Sequence, residues 1–230
     1  MMKTNLIKKH SLIVSCQALA DEPLHGSEIM AKMALAALQG GAQGIRANSA
    51  ADIKAIKEVV DLPVIGIVKK EYNGYPVYIT PTMAEVDEVA ASGAEIIAID
   101  ATDRERPDDN CLASFVAAIR DKYPELLIMA DISTYEEGVA AANMGVDIVS
   151  TTLCGYTEQT KDTKIPNFKL VRQLANTIEQ PIICEGGIQS PKQFLKALKS
   201  GAYACVVGSA ITRPQLITKK FTDVIPDASN

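Results

Sequence analysis

Eight short apolar runs recur along the chain, at residues 12–17, 44–48, 64–69, 96–100, 127–132, 148–152, 182–186 and 205–209. Each is continuously apolar rather than alternating with polar residues. That is the pattern of parallel strands covered on both faces. The segments 27–40, 51–60, 83–91, 114–122, 135–143, 167–178, 191–198 and 213–223 carry helical spacing. Gly40-Gly41, Pro63, Pro124 and Pro181 end four of them or lie just beyond their ends. Ser190 and Pro191 read as N-cap and first helical residue of the seventh. Ser92-Gly93-Ala94, Met144-Gly145-Val146 and Ser200-Gly201-Ala202 repeat one turn form. In it, glycine supplies the left-handed residue that turns a helix back to the next strand.

Eight strand–helix units predict a (β/α)8 TIM barrel of the phosphate-binding type, one domain over residues 1–230. An open flavodoxin-like sheet uses about five or six strands and would leave strands over.

Composition narrows the function classes. Of 230 residues, 47% are hydrophobic, which excludes a disordered chain. A net charge of −5, without a basic patch, argues against a nucleic-acid partner. No run reaches the roughly 18 apolar residues of a membrane span. Ser11 to Cys16 after Lys8-Lys9 loosely mimics a secretion signal, but its apolar stretch is shorter than the about 7–15 residues such a signal needs. The five scattered cysteines (16, 111, 154, 184 and 205) include no CxxC pair. They point to reduced thiols and a cytoplasmic enzyme. Only His10 and His25 are histidines, so metal is disfavoured. A carboxylate-only Mg²⁺ site at Asp100 and Asp131 stays conceivable.

In a TIM barrel the active site lies at the C-terminal strand ends. The polar residues there are Gln17, Arg46 and Asn48, Lys69 and Lys70, Asp100, Asp131, Thr151 and Thr152, Glu185, and Gly208-Ser209. Asp100, Asp131 and Thr152 would also serve as caps of the helices that follow. Arg46, Lys69 and Glu185 are poor caps, and charge at the rim of a buried sheet tends to be paired or used. Gly186-Gly187 and Gly208-Ser209 follow strands seven and eight, the place where barrels bind phosphate. Arg213, at the start of the last helix, would add a charge-assisted bond. A lysine in a dry pocket loses its proton more readily and can act as a base or form a Schiff base. Lys69 and Glu185, on opposite walls, are the acid/base candidates. Arg46 would stabilise an oxyanion. Lys69 and Lys70 point to opposite faces, and spacing does not say which enters the barrel.

Several segments together resemble the bacterial N-acetylmannosamine-6-phosphate 2-epimerases. They include LIVSCQAL at 12–19, GIRAN at 44–48, IGIVKK at 65–70, YITPT at 78–82, AIDAT at 98–102, MADIST at 129–134, CEGGI at 184–188 and VGSAITRP at 207–214. The resemblance runs over nearly the whole chain. It implies a TIM-barrel isomerase of sialic acid breakdown that uses no cofactor and binds a small amino-sugar phosphate. It implies Lys69 and Glu185 as catalytic residues, and Gln17, Arg46, Asp131 and Arg213 as substrate contacts. The two glycine loops would hold the phosphate, and a homodimer is expected. Ser209 departs from the glycine common there, which keeps the backbone N–H. The alternatives are a Schiff-base aldolase on a sugar phosphate, a metal-dependent pentose-phosphate epimerase and a non-catalytic phosphosugar sensor.

Overall fold

A computed structural model describes residues 6–109 and 111–226. Eight parallel strands close into a barrel in sequence order, with the first hydrogen-bonded to the last. They are β1 (Ser11–Cys16), β2 (Gly44–Asn48), β3 (Val64–Ile67), β4 (Ile96–Asp100), β5 (Leu127–Asp131), β6 (Ile148–Ser150), β7 (Ile182–Cys184) and β8 (Ala204–Val207). The helices are α1 (Ser27–Gln39), α2 (Ala50–Lys57), α3 (Met83–Ala90), α4 (Leu112–Lys122), α5 (Tyr135–Asn143), α6 (Phe168–Ala175), α7 (Pro191–Lys199), α8 (Ser209–Thr212) and α9 (Pro214–Thr222). The expected TIM barrel is present. No helix among the described residues is long and apolar enough to cross a membrane.

Alternation along the strands sorts the core into two layers. Ile13, Ile65, Ile67, Ile96, Ala98, Met129, Ile183 and Val206 fill the barrel, while Val14, Ile45, Ile97, Ile128 and Val149 face the helices. Successive strand residues point to opposite faces, so each strand feeds both layers. This is why the runs read as continuously apolar. Gly66 marks the tightest approach in the outer layer. A β-carbon there would lie 2.7 Å from Val89 and 2.9 Å from Ala94 and Ile53. Only glycine lets α2 and α3 pack so close to β3.

Each helix turns an apolar stripe to the sheet. In α6, Leu170, Val171 and Leu174 are buried while Lys169 and Arg172 stay on the outer side. Each buried Val or Leu of this kind contributes about 1.5–3 kcal/mol. Side chains cap the starts. Ser49 accepts from Asp52 N, Asn167 from Leu170 N and Ser190 from Gln193 N. Thr82 with Glu85, and Thr134 with Glu137, form reciprocal capping boxes. The Ser190–Pro191 expectation holds. Gly93, Gly145 and Gly201 all have positive φ, as the repeated turn requires.

Three expectations are corrected. Asp100, Asp131 and Thr152 cap no helix, since all three point into the barrel. The apolar runs also overshoot the strands. β3 stops at Ile67, β6 at Ser150, β7 at Cys184 and β8 at Val207, so Lys69, Thr152, Glu185 and Gly208 stand on the loops just beyond. Positive φ at Gly186 and Gly187 turns the chain away after β7. The last helix likewise divides. Pro214 has no N–H with which to continue α8, and it holds Arg213 out of helical conformation, at φ −123° and ψ 81°. Arg213 therefore sits between α8 and α9 rather than inside one helix.

Candidate active site

The alternation that fills the barrel also aims its rim. Ile65 and Ile67 point inward, so Lys69 continues on that face and Lys70 on the other. The same two-residue step runs from Met129 to Asp131, from Ile183 to Glu185 and from Val206 to Gly208. Lys70 is half-exposed and held 2.9 Å from the Glu85 carboxylate. Lys69 lines the cavity at the strand C-termini and is largely buried. The ambiguity between the two lysines is thereby resolved in favour of Lys69.

That cavity is about 230 Å³. Its wall includes Gln17, Arg46, Lys69, Glu185, Gly186, Gly187, Gly208, Ser209 and Arg213. Of the expected site residues, only Asp131 is not on the wall. It lies one layer deeper, fully buried beneath Arg46.

At the floor, Arg46 bridges two carboxylates from across the barrel. Its Nη1 donates to Asp131 Oδ1 at 3.0 Å and to Glu185 Oε2 at 2.9 Å, and its Nη2 donates to Asp131 Oδ2 at 2.5 Å. Thr152 Oγ1 lies 2.6 Å from Asp131 Oδ1 and 3.2 Å from Glu185 Oε2. Arg46 Nε is buried without a partner among the described residues. Burial, and next the nearby Asp131 charge, push the Glu185 carboxyl up to about 7, against the opposing pull of Arg46. Burial, then the positive charges of Arg46 and Arg213, lower the Lys69 amine from its usual range. Its backbone is fixed by Asn48 Oδ1, which accepts from Lys69 N at 2.8 Å, and by a bridge to Ile79. Lys69 Nζ has no hydrogen-bond or ion-pair partner among the described residues. Burial thus shifts both groups toward their uncharged forms, the amine downward and the carboxyl upward, on opposite walls.

The upper wall is glycine-rich. A β-carbon on Gly187 would sit 2.7 Å from Ile165, so glycine lets the β6–α6 loop rest on the β7–α7 loop. Arg213 Nε and Nη2 grip Glu22 at 2.6 and 2.8 Å, and Nη1 lies 3.3 Å from Ser209 Oγ. Gln17 Nε2 donates to Ser15 Oγ.

The conceivable two-carboxylate metal pair is otherwise engaged. Asp100 accepts from Arg104 and Thr102, and Asp131 from Arg46 and Thr152. Some wall or near-wall residues that bear on the chemistry were given no site role from sequence. They are Thr152, Tyr78, Tyr156 and Glu22. The signal for Thr152 was available, because Ser150 and Thr152 are polar at the inward two-residue step of a buried strand end. Tyr78 comes from the long β3–α3 loop, where the strand period gives no guide.

A buried amine whose proton is loosened, across the mouth of a closed (β/α)8 barrel from a buried carboxyl that holds its proton more tightly than usual, defines a barrel enzyme suited to proton transfer. Residues 30–227 match the family described as "Putative N-acetylmannosamine-6-phosphate epimerase". A relative from Caldanaerobacter subterraneus, named as such a 2-epimerase, is 53% identical over 98% of this chain and 96% of its own length. One from Clostridium perfringens with the same name is 54% identical over 95% and 98%. The solved structure of the N-acetylmannosamine-6-phosphate 2-epimerase from Clostridium perfringens superimposes with a TM-score of 0.91 at 54% identity, covering 94% of both chains. A thiamine phosphate pyrophosphorylase from Pyrococcus furiosus, at 18% identity and TM-score 0.61, shares the fold alone. The chain belongs to the N-acetylmannosamine-6-phosphate epimerase family.

Proposed function

We propose that this chain interconverts N-acyl-D-mannosamine 6-phosphate and N-acyl-D-glucosamine 6-phosphate by moving the proton on C2, as a step of sialic acid and amino-sugar degradation. The observation that carries the reading is the pairing of Lys69 with Glu185. The two stand on opposite walls of one cavity, and burial shifts each toward its uncharged form.

With the sugar ring open, the C1 aldehyde acidifies the C2 proton. Lys69, uncharged, takes that proton. The C2–H bond breaks, an N–H bond forms, and the electron pair moves to the aldehyde oxygen as an enolate. Donors on the cavity floor, Arg46 first among them, stabilise the oxygen. Glu185 then gives its proton to C2 from the other face, and C2 is inverted. Lys69 and Glu185 exchange protons with water before the next turnover. The reaction as written needs no metal or cofactor.

Gly186, Gly187, Gly208 and Ser209 form the part of the wall suited to the phosphate, with Arg213 as its cation. Gln17 is placed to meet a sugar hydroxyl, and Asp131 acts by holding Arg46. We read residues 1–230 as one catalytic domain in the cytoplasm. Four of the five cysteines are buried and none is disulfide-bonded, which fits a reducing compartment. A homodimer is the expected assembly. Leu216, Phe221, Val224 and Ile225, exposed on and after α9, are the support for self-association.

The test is incubation with N-acetylmannosamine 6-phosphate in D2O with chelator present, followed by NMR of the C2 proton. Conversion to the gluco epimer with deuterium at C2 is expected. Lys69→Ala should lose exchange and conversion together, by about 10²–10⁴-fold or more. Glu185→Gln should keep washout of the substrate C2 proton while losing conversion. Absence of both exchange and conversion in the unaltered protein overturns the reading.

A further inference from the structure

The end of β6 presents three hydroxyl side chains in a row, and all three converge on Glu185 directly or through one another. Thr151 fixes the backbone. Its Oγ1 accepts from Glu185 N at 3.1 Å and donates to Glu185 O at 2.9 Å. Ser150 and Thr152 point into the barrel, with their hydroxyl oxygens 2.9 Å apart. Thr152 reaches the carboxylates.

The geometry there is a closed four-atom ring. Asp131 Oδ1 and Glu185 Oε2 are opposite corners. Arg46 Nη1 touches both, at 3.0 and 2.9 Å, and Thr152 Oγ1 touches both, at 2.6 and 3.2 Å. Two acceptor oxygens from two acidic groups thus share one guanidinium N–H₂ group on one side and one hydroxyl on the other. A threonine hydroxyl has one proton to give. Asp131 is fully buried and Glu185 is 13% exposed, so solvent does little to separate their charges.

We propose that Thr152 is a positioning residue for the reaction, which holds the Glu185 carboxyl group opposite Lys69 and sets how readily it gives up its proton. Its hydroxyl is the neutral donor between the two carboxylates. With it in place, ionised Glu185 has a second donor besides Arg46. Without it, one side of the ring is dry, the ionised form costs more, and Glu185 keeps its proton to higher pH. The charged groups that act on Glu185 from the other elements are Arg46 from β2, Lys69 beyond β3 and Asp131 from β5. Tyr78, Tyr156 and Arg213 also line the cavity. Of the side chains bonded to the Glu185 carboxylate among the described residues, Arg46 and Thr152, Thr152 is the one whose removal changes no formal charge.

The role rests on Glu185 as the acid of the epimerisation, but its test does not require turnover. Carbon-13 NMR of the side-chain carboxyl groups, with the Glu185 signal assigned by its loss in Glu185→Gln, reads the Glu185 titration midpoint directly. Thr152→Val should move that midpoint upward by about one pH unit, the shift equivalent to one hydrogen bond to a charged group. Thr152→Ser should restore it. In turnover, the alkaline limb of the kcat profile should move upward with it, and KM should change less than kcat. If Thr152→Val does not fold, Thr152→Cys, of similar size and with a weak donor, should show the same upward shift. An unmoved midpoint in folded Thr152→Val or Thr152→Cys overturns the proposal, whatever the turnover assay shows. A shifted midpoint in a protein that does not epimerise overturns the function proposed above and leaves the role of Thr152 in setting Glu185 standing.

Discussion

Two arginines frame the cavity, in opposite surroundings. Arg46 grows from the middle of a strand, is 1% exposed, and is held by carboxylates from β5 and from the loop after β7. Arg213 stands between two short helices, is 26% exposed, and is held by Glu22 from the β1–α1 loop. The first pair is built into the barrel. Its desolvation cost is met only while every partner stays in place. The second joins two loops at the rim, where an arriving anion can replace one partner of Arg213 by another. The contrast separates a fixed electrostatic floor from an adjustable clasp, as expected if chemistry happens at one end of a substrate and recognition at the other.

The most severe way to break this contrast is Arg46→Met. It leaves two carboxylates facing each other in a dry site, and should destabilise the fold by about 3–5 kcal/mol, read by urea denaturation at neutral pH. Acidification should recover part of that loss, because protonating one carboxylate removes the repulsion. If stability is unchanged, the floor is not a coupled unit.

Glu185 gives the next test. Its folded-state value, about 7, lies above the ordinary 4.5. The folded state therefore binds the proton more tightly than the unfolded chain does. Its contribution to stability is fully present below about 4.5 and is lost as pH rises through about 7. Denaturation midpoints measured across that window should fall with pH, and Glu185→Gln should flatten that part of the curve.

At the rim the effects move from stability to binding. Arg213→Met should raise KM by about 10–100-fold, the size of one charge-assisted hydrogen bond, while kcat changes less. Glu22→Gln is the mildest change. The pair lies near the surface, so stability should shift by less than about 1 kcal/mol. KM should change only a few-fold, and its dependence on salt should steepen as the Arg213 charge is unmasked. A large loss of stability in either rim variant would erase the distinction between floor and clasp.

Fold and site were legible to different depths. The eight runs gave the barrel because parallel strands buried on both faces are apolar throughout. That same apolarity hid which face of each strand was inner, so Lys69 and Lys70 were indistinguishable until Ile65 and Ile67 were seen inside the barrel. Arg46, Lys69 and Glu185 were legible as charges at strand ends that no cap explained. Asp131 reads as a substrate contact by resemblance, and its buried carboxylate, which accepts from Arg46, is a pairing no sequence spacing announces. Thr152 stood among the strand-end polar residues with a helix cap as an equal reading, since one hydroxyl after one strand resembles any other until its partners are known. Arg213 reads as a helix start because the helical spacing runs through Pro214, but proline disfavours helical conformation in the residue before it. Glu22 could not be paired from sequence, since its partner lies 191 residues away.

The inward two-residue step at the strand ends also bears on how such a chain can change over evolutionary time. Insertions in the loops only lengthen the rim. A single-residue insertion or deletion within β2, β3, β5 or β7 would rotate every later residue of that strand to the opposite face. Arg46, Lys69, Asp131 or Glu185 would then point at the helices, and its neighbour in the chain, such as Ile45, Val68, Ala130 or Cys184, into the cavity. Lineages descended from this barrel should therefore vary freely in loop length yet keep the spacing inside these strands, even where the residues at those positions are replaced.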